Sequence, residues 1–292
     1  MAEKYVFMTD SDSDLPWQYA QEKNIPVVKM PYSVEGVEYF DDNGKAGTEK
    51  AFFDKMRKGA TPATSLLPTA AYLEYFEPIL QHSDLLFLAF SSKMSATYLN
   101  VLEARDELLA KYPGRKFVVV DTLSISAPQT LLIKAAHKLY EQGASIEELE
   151  QWVLDNRTRA QVWVTVDDLI YLRRGGRISS TSAIFGSMLS IKPLLTMTKE
   201  GKLEAYAKVQ GSKKAMKALV DKLAEQIEQP EDQEILILQA DVEEEARLLE
   251  SMIRQRVPDI GGVHIQMIGP VIGAHAGPGT LAVSFMGKER PV

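Results

Sequence analysis

Three aspartates stand at alternating positions after one apolar stretch near the start of the chain. Asp10, Asp12 and Asp14 lie in the segment VFMTDSDSDLP, directly after the apolar residues of a predicted strand. An acidic ladder of this kind can serve metal or phosphate chemistry, or it can form the capped entry to a helix. A calcium loop of the EF-hand type is excluded, because Leu15 and Gln21 stand where it would need Gly and Glu.

A Mg-dependent phosphatase of the haloacid-dehalogenase type is one hypothesis for this ladder. Such enzymes place Asp-x-Asp after their first strand, as Asp10 and Asp12 are placed here. Candidate counterparts of their later elements are Ser91, Lys192 and the pair Asp167–Asp168. Residues of these types are common after strands and at helix starts, so the helix-entry interpretation stays open beside the phosphatase hypothesis.

Hydroxyl side chains follow the strands predicted in the first half of the chain, and Thr64 and Ser65 precede a predicted helix. Ligands of a parallel sheet bind beyond the carboxyl ends of its strands, where helix N-termini also favour negative charge. The same hydroxyls can instead cap helices. Both interpretations apply to Thr9, Thr64, Ser65, Ser91, Ser92, Ser95, Thr97 and Thr122.

Two glycine-containing segments offer further donors to an anion. His275 lies in GAHAGPG, a predicted loop whose glycines either let the backbone approach a ligand or simply form turns. The segment YLRRGGRISS carries Arg173, Arg174 and Arg177 around two glycines. It suits an anion or an acidic partner, and it is equally consistent with a solvated helix end.

An apolar run follows the arginines, and it is either plain core or the lining of a slot. If it lies beside the hydroxyl cluster, the sequence predicts an apolar tunnel that ends in neutral donors, which fits a long acyl chain with a carboxylate. Each buried methylene contributes about 0.8 kcal/mol, so no ionic contact is needed. The lining candidates are Ile184, Phe185, Met188, Leu189, Ile191 and Leu194.

Composition narrows the classes of function. The formal net charge of -7 argues against a nucleic-acid partner, and the 292 residues include no cysteine for disulfides, thiolate catalysis or Cys-ligated metal. The chain lacks the common phosphate-loop, dinucleotide, serine-hydrolase and zinc-protease motifs. We therefore predict a cytoplasmic protein that has no catalytic residue, metal, cofactor or integral membrane segment.

The elements that must position these residues alternate between short strands and helices. In the first half, this alternation predicts a wound, mostly parallel α/β sheet with flanking helices. After Gln161 the pattern changes to a hairpin around KEGK and a mixed or antiparallel sheet. We predict two α/β domains, residues 1–160 and 161–292, with the ligand between them.

Six segments in order resemble the DegV family of bacterial fatty-acid-binding proteins, which includes the fatty-acid-binding subunit of fatty acid kinase. Each segment alone is a weak signal, but together they cover nearly the whole chain. The segments are TDSDSDLP (9–16), ATSLLP (63–68), SSKMSATY (91–98), VVDTLSIS (119–126), YLRRGGRIS with the following SIKPLL (171–195), and IGAHAGPGTL (272–281).

The resemblance implies a lipid carrier that presents a fatty acid carboxylate to a separate kinase for acyl phosphate formation. It makes the acidic ladder a family signature, and it implies Arg173 and Arg174 as kinase-docking residues. Ala96 and Leu66 depart from the glycine and glutamine that the family has there. The implied head-group contacts are Thr64, Ser65, Ser91, Ser92 and Ser95, with Arg177 and His275 as supporting donors.

Overall fold

The computed structural model describes residues 5–178 and 191–292. Over these residues, the strand and helix segments follow the apolar periodicity of the sequence. The strands are β1 (Val6–Asp10), β2 (Val27–Val28), β3 (Pro31–Val34), β4 (Val37–Phe40), β5 (Ala63–Thr64), β6 (Leu85–Ala89), β7 (Phe117–Asp121), β8 (Ala160–Thr165), β9 (Ile191–Met197), β10 (Leu203–Gln210), β11 (Glu234–Gln239), β12 (Gly262–Met267) and β13 (Leu281–Met286). The helices are α1 (Trp17–Glu22), α2 (Glu49–Arg57), α3 (Thr69–Leu80), α4 (Thr97–Lys111), α5 (Ser126–Glu141), α6 (Ile146–Asn156), α7 (Ile170–Arg174), α8 (Ser212–Gln226), α9 (Glu243–Arg256) and α10 (Pro270–Ala276).

The N-terminal sheet has the order β2-β1-β6-β7, and all of its strands are parallel. Its central strand β6 is apolar and buried along its whole length, as expected where helices cover both faces. Phe87 packs with α3 on one face, and Leu86 and Leu88 pack toward α5 and α6 on the other. The predicted wound parallel sheet is confirmed.

The C-terminal sheet has the order β10-β9-β8-β13-β11-β12 and is antiparallel except between β11 and β12. The predicted hairpin around KEGK joins β9 to β10. One face packs under α8 and α9 through Trp163, Leu219 and Phe285. The opposite face belongs to a different core cluster, which also includes residues of the N-terminal sheet. The predicted mixed sheet is confirmed, and the division near residue 160 stays a prediction.

Local structure corrects one expectation. The segment with His275 is the helix α10 rather than a loop. Within the acidic ladder, Ser11–Ser13 form a short 3-10 helix, and Pro16 is the N-cap of α1.

Within the described residues, Ser145 is the N-cap residue whose side chain caps its helix. Ser95 accepts from the first amide of α4, whereas the hydroxyls of Thr9, Ser91 and Thr122 donate to backbone carbonyls and are not explained by capping.

A small antiparallel sheet, β4-β3-β5, carries the Thr64 segment. The sequence did not predict the two-residue strand β5. Its residue Thr64 pairs with Tyr32 of β3, which fixes the position of the threonine relative to the acidic ladder. Across residues 5–178 and 191–292, the helices are too short or too polar to cross a bilayer.

Arg290 holds together segments that are distant in sequence. The guanidinium is almost fully buried and donates hydrogen bonds to the carbonyls of Ala160, Leu123 and Thr198 and to the Ser124 hydroxyl. All of these partners are neutral, and burial lowers the pKa of Arg290 to about 10. The buried charge is therefore stabilised by hydrogen bonds rather than by an ion pair.

Replacing Arg290 should destabilise the fold strongly. In Arg290→Met, several buried carbonyls lose their donor, so we expect the free energy of unfolding to fall by about 3 kcal/mol or more. Urea unfolding followed by circular dichroism measures the change. The matched control is Lys199→Met, which removes an exposed ion pair with Glu289 and should have little effect. Equal losses in the two variants would contradict this role for Arg290.

Candidate functional site

A mainly apolar cavity lies against the C-terminal sheet. Its volume is about 920 Å³ counted to its open mouth, and we call it the slot. Its apolar lining comprises Met30, Phe90, Met94, Ile125, Pro128, Val162, Val164, Val166, Leu172, Leu203, Leu238, Ile268, Val271, Ile272, Ala276 and Ala282.

Strand alternation explains the sheet side of this slot. Val162 and Val164 of β8 face the cavity, and Trp163 between them packs on the opposite face against α8. Leu238 of β11 and Ala282 of β13 continue the same wall. The alternating segment VWVTV indicates a strand with two different faces, but its valines were not predicted as lining residues.

A hydrogen-bonded pair forms a polar part of the cavity wall. Thr64 Oγ1 lies 2.8 Å from His275 Nε2, although the two residues are far apart in sequence. The small sheet positions Thr64, and α10 positions His275. Ser65, Ser95 and Arg177 line the same cavity. Five of the seven predicted head-group residues are thus brought to one cavity.

The His275 imidazole is neutral near pH 7. Burial and the nearby charge of Arg177 lower the pKa of His275 to about 4. A neutral imidazole has one N–H donor and one acceptor nitrogen. With the proton on Nε2, the imidazole donates to Thr64, and the threonine hydroxyl proton stays free for a ligand.

Arg177 carries a positive charge beside the cavity, and two of its guanidinium nitrogens donate to backbone carbonyls. Its Nε donates to the Met94 carbonyl at 3.2 Å, and Nη1 donates to the Gly175 carbonyl. These contacts hold the arginine beside the loop that contains Ser95. The Ser95 hydroxyl oxygen accepts from the Thr97 amide at 3.2 Å and keeps its own proton for another acceptor.

Ser91 and Ser92 lie outside the cavity wall. We call the segment from Ser91 to Ser95 the serine loop. The Ser91 hydroxyl is fully buried and donates to the Gly201 carbonyl at 2.7 Å, which ties the serine loop to the β9–β10 turn. The Ser92 amide donates to Asp121. The Ser92 side chain borders a surface depression that shares Ser95 and Arg177 with the cavity.

The predicted lining segment is only partly described. Ile184, Phe185, Met188 and Leu189 lie outside the described residues. Ile191 begins β9 and does not line the cavity, and Leu194 packs on the other face of the C-terminal sheet. Alternation along β9 explains this placement of Leu194, because its neighbour Leu195 faces the core cluster shared with the N-terminal sheet.

Arg173 and Arg174 are exposed at the end of α7. They border a surface depression together with Ile170 and Ile178 and do not line the cavity. Their placement separates them from Arg177, which lies only three residues further along the chain. The three arginines that looked alike in sequence therefore occupy different environments.

The acidic ladder is buried, and each of its aspartates has a different environment. Asp10 accepts from the Phe90 amide at 2.8 Å and from the Gln129 side chain at 3.1 Å, and so holds the start of the serine loop. Asp14 accepts from the Gly269 amide at 2.9 Å. Asp12 lines the cavity, and its Oδ1 is buried without a hydrogen-bond partner.

Burial raises the carboxyl pKa values throughout this region. The pKa rises to about 7 for Asp10 and to about 8 for Asp14. A fourth buried carboxyl, Asp41, has its pKa raised to about 7 by the same cause. Burial, reinforced by the charge of Asp10, raises the pKa of Asp12 well above its usual value. In the described part of the chain, no three acidic or histidine side chains are arranged to hold a metal ion.

Comparisons with known proteins agree with this architecture. The model of a family described as "Uncharacterised protein, DegV family" matches residues 4–288. A DegV domain-containing protein of Clostridium perfringens is 41% identical over 288 residues, which cover 98% of this chain and 99% of the relative.

Solved structures extend the comparison to the whole fold. A DegV family protein from Thermus thermophilus, described for its fatty acid binding, is 29% identical and superimposes with a TM-score of 0.86 over 98% of this chain and all of the other. A Thermotoga maritima protein whose structure revealed a fatty acid binding function is 27% identical, with a TM-score of 0.84 and the same coverage.

The buried carboxyls should make the protein less stable at alkaline pH. Their pKa values are raised in the fold, so their stabilising contribution is complete below the unfolded pKa near 3.8 and is lost as the pH rises through about 7 to 8. Since His275 contributes an opposite trend only between about pH 4 and 6.5, the range above pH 6.5 isolates the carboxyls.

We expect the free energy of unfolding to fall between pH 6.5 and 9 by an amount on the order of a few kcal/mol. Urea titrations at both pH values measure it. Asp14→Asn, which cannot ionise, should show a smaller fall than the wild type. A stability that rises over this pH range would contradict the assignment.

Proposed function

The chain belongs to the DegV family, and on that premise we propose that it binds one long-chain fatty acid in the cavity and presents the carboxylate to a separate kinase, which forms an acyl phosphate. The observation that carries the proposal is the pairing of a mainly apolar slot with the neutral Thr64–His275 pair in its wall. The proposed location is the cytoplasm, where a kinase finds its phosphoryl donor. The protein itself supplies no catalytic group in this proposal.

The apolar slot supports the acyl chain as the main source of affinity. Each methylene moved from water into such a wall contributes about 0.8 kcal/mol, so a chain of some sixteen carbons binds tightly. We add Val162, Val164, Leu238 and Ala282 to the proposed lining residues. We remove Leu194, because it packs on the other face of the sheet. Ile184, Phe185, Met188 and Leu189 stay proposed as lining residues.

The polar groups support a carboxylate head held by hydrogen bonds. A neutral His275 can orient the Thr64 hydroxyl toward an anion, and Ser65 and Ser95 line the same cavity. Arg177 adds a positive charge that favours the ionised acid. In this proposal, Ser91 and Ser92 act through the loop that they hold, since their side chains lie outside the cavity wall.

The surface beside the cavity supports access by a partner. A depression bordered by Ser92, Lys93 and Tyr98 shares Ser95 and Arg177 with the cavity, so the proposed head group lies one side-chain layer from solvent. Exposed Arg173 and Arg174 are the proposed docking residues. The proposed division into domains 1–160 and 161–292 places the ligand between two α/β layers.

The phosphatase alternative gains no support from the site. A nucleophilic aspartate needs an open carboxylate, but Asp10 is buried, bonded to Phe90 and Gln129, and absent from the cavity wall. Asp12 lines the cavity, but within the described residues it belongs to no group of three acidic or histidine side chains that could hold the metal ion of such an enzyme.

Protein purified from cells should carry about one fatty acid per chain. Denaturing extraction followed by mass spectrometry identifies the lipid, and titration of delipidated protein with oleate and palmitate gives the affinity. The absence of both endogenous lipid and uptake would overturn the proposal.

Thr64→Val should weaken fatty-acid binding while keeping the shape of the site. Removing a hydroxyl donor to a charged group costs about 1.5–3 kcal/mol, which corresponds to a loss of roughly tenfold to a hundredfold in affinity. Isothermal titration with oleate measures it. Ser92→Ala is the matched control, because its hydroxyl lies outside the cavity, and its affinity should stay close to that of the wild type. The opposite order of effects would place the head group elsewhere.

Charge reversal at the α7 end should separate docking from binding. In Arg173→Glu/Arg174→Glu, we expect acyl phosphate formation by a bacterial fatty acid kinase catalytic subunit to fall at least about tenfold, with an unchanged fatty-acid affinity. The control reverses two exposed arginines on α9, Arg247 and Arg254. A kinase rate that depends equally on both pairs would contradict specific docking at α7.

A further inference from the structure

The helix that carries His275 is too short to fix its own direction. α10 has seven residues, and isolated helices of this length are unstable in water, so its position depends on contacts with the rest of the fold. His275 lies six residues after Gly269, which is about 9 Å along the axis at 1.5 Å per residue. A tilt at the N-terminus therefore displaces the imidazole relative to Thr64.

One buried aspartate bonds to the N-terminus of α10, and a second packs against it. Asp14 Oδ1 accepts from the Gly269 amide at 2.9 Å, and the Gln266 side chain donates to the Asp14 carbonyl. Asp41 Oδ1 accepts from the Asn43 amide at 2.9 Å, and its Oδ2 packs against Gly269 without a hydrogen-bond partner. We call Asp14, Asp41 and Gly269 the α10 clasp. It joins the acidic ladder near the start of the chain to a helix near its end.

The clasp leaves no space for a side chain at Gly269. A Cβ built there would lie 2.6 Å from Asp14 Oδ1 and 2.7 Å from Asp41 Oδ2, closer than real Cβ contacts. Both carboxyls thus touch the bare face of the glycine, one from each segment. Substitution at this glycine is a way to disturb the clasp without altering either aspartate.

The imidazole end of α10 is confined as well. A Cβ on Gly175 would lie 2.1 Å from His275 Nδ1, and a Cβ on Gly277 would lie 2.2 Å from the Tyr171 ring. The α7 segment therefore packs directly on the histidine. Because the ring has so little room, the alignment of the Thr64–His275 bond depends on where the clasp places the helix.

The same aspartate segments also place Thr64. The Asp41 amide donates to the Met30 carbonyl at 2.9 Å, and the Met30 amide donates to the Ser11 hydroxyl at 2.9 Å. Strand β3 follows Met30 directly and pairs with β5 at Thr64. The positions of both Thr64 and His275 therefore depend on the acidic ladder and on Asp41.

We propose that Asp14 is a positioning residue for the ligand head group and holds α10 at Gly269, with Asp41 packed beside it, so that His275 meets Thr64 in the cavity wall. The link to ligand affinity rests on the proposed fatty-acid binding, whereas the placement of the imidazole does not. In this arrangement, Asp14 does not touch the ligand and acts through His275.

The test combines substitutions at the clasp with a double-mutant cycle. Asp14→Ala removes the acceptor. Gly269→Ala adds a methyl group on the helix that pushes the two carboxyls away, and it keeps the test informative if Asp14→Ala does not fold. Asp14→Asn is the conservative rescue, because its amide oxygen can still accept from Gly269 and Asn tolerates the positive φ of 52° at this position. Tyr140→Phe is the matched control, since it loses one hydrogen bond to the Tyr5 carbonyl in a core cluster away from the cavity.

We expect Asp14→Ala and Gly269→Ala to weaken oleate binding by about tenfold or more, and Asp14→Asn and Tyr140→Phe by no more than about threefold. In a His275→Ala background, the same clasp substitutions should change affinity by less than about twofold, because the residue through which they act is gone. Equal losses with and without His275 would overturn the proposal.

The imidazole itself supplies a readout that does not need a ligand. ¹⁵N NMR of the four histidines in delipidated protein should show altered His275 ring shifts in Asp14→Ala and Gly269→Ala but not in Tyr140→Phe. If the wild type binds no fatty acid, the proposed function fails, and these shifts alone decide the positioning role. Unchanged His275 shifts in the clasp variants would overturn it.

Discussion

Burying carboxyl groups away from water is the constraint on which the site depends. A carboxylate in an apolar interior is costly unless it is protonated or receives hydrogen bonds from nearby donors. Asp10 and Asp14 meet this requirement by accepting backbone N–H groups from the serine loop and from α10. The cost of burial thus fixes two distant segments at the end of β1. The ladder at the start of the chain organises the site without acting as a reagent in it.

The cavity follows a similar logic with neutral groups. An apolar slot binds a chain without directional contacts, and a few hydrogen-bond donors define its orientation. Burial keeps His275 uncharged, so it can work together with the Thr64 hydroxyl rather than pair with a carboxylate of the protein. Arg177 contributes charge from the side while it binds backbone carbonyls. Such a site favours an amphiphile with an acidic end over a small, highly charged anion.

Sequence reasoning predicted the elements whose patterns are local. The alternation of strands and helices predicted both sheets, the carboxyl-end rule placed Ser95 near a ligand site, and the family resemblance added Thr64 and Ser65. It missed α10, because VIGAHAG contains glycines that disfavour a helix and the helix is held by a clasp remote in sequence. It also assigned Leu194 to the lining, since an apolar run does not reveal which face of β9 each residue takes. The valines of β8 were overlooked because their partner wall comes from the other half of the chain.

The alternation along β8 has a practical consequence for spectroscopy. Trp163 is sealed from solvent and is bonded to Gln226, on the face of the strand opposite to Val162 and Val164. A molecule that fills the slot touches the valines but not the indole. In a variant without Trp17 and Trp152, a change in tryptophan emission on filling therefore reports a rearrangement around Trp163 on the far side of β8 rather than direct contact with the bound molecule.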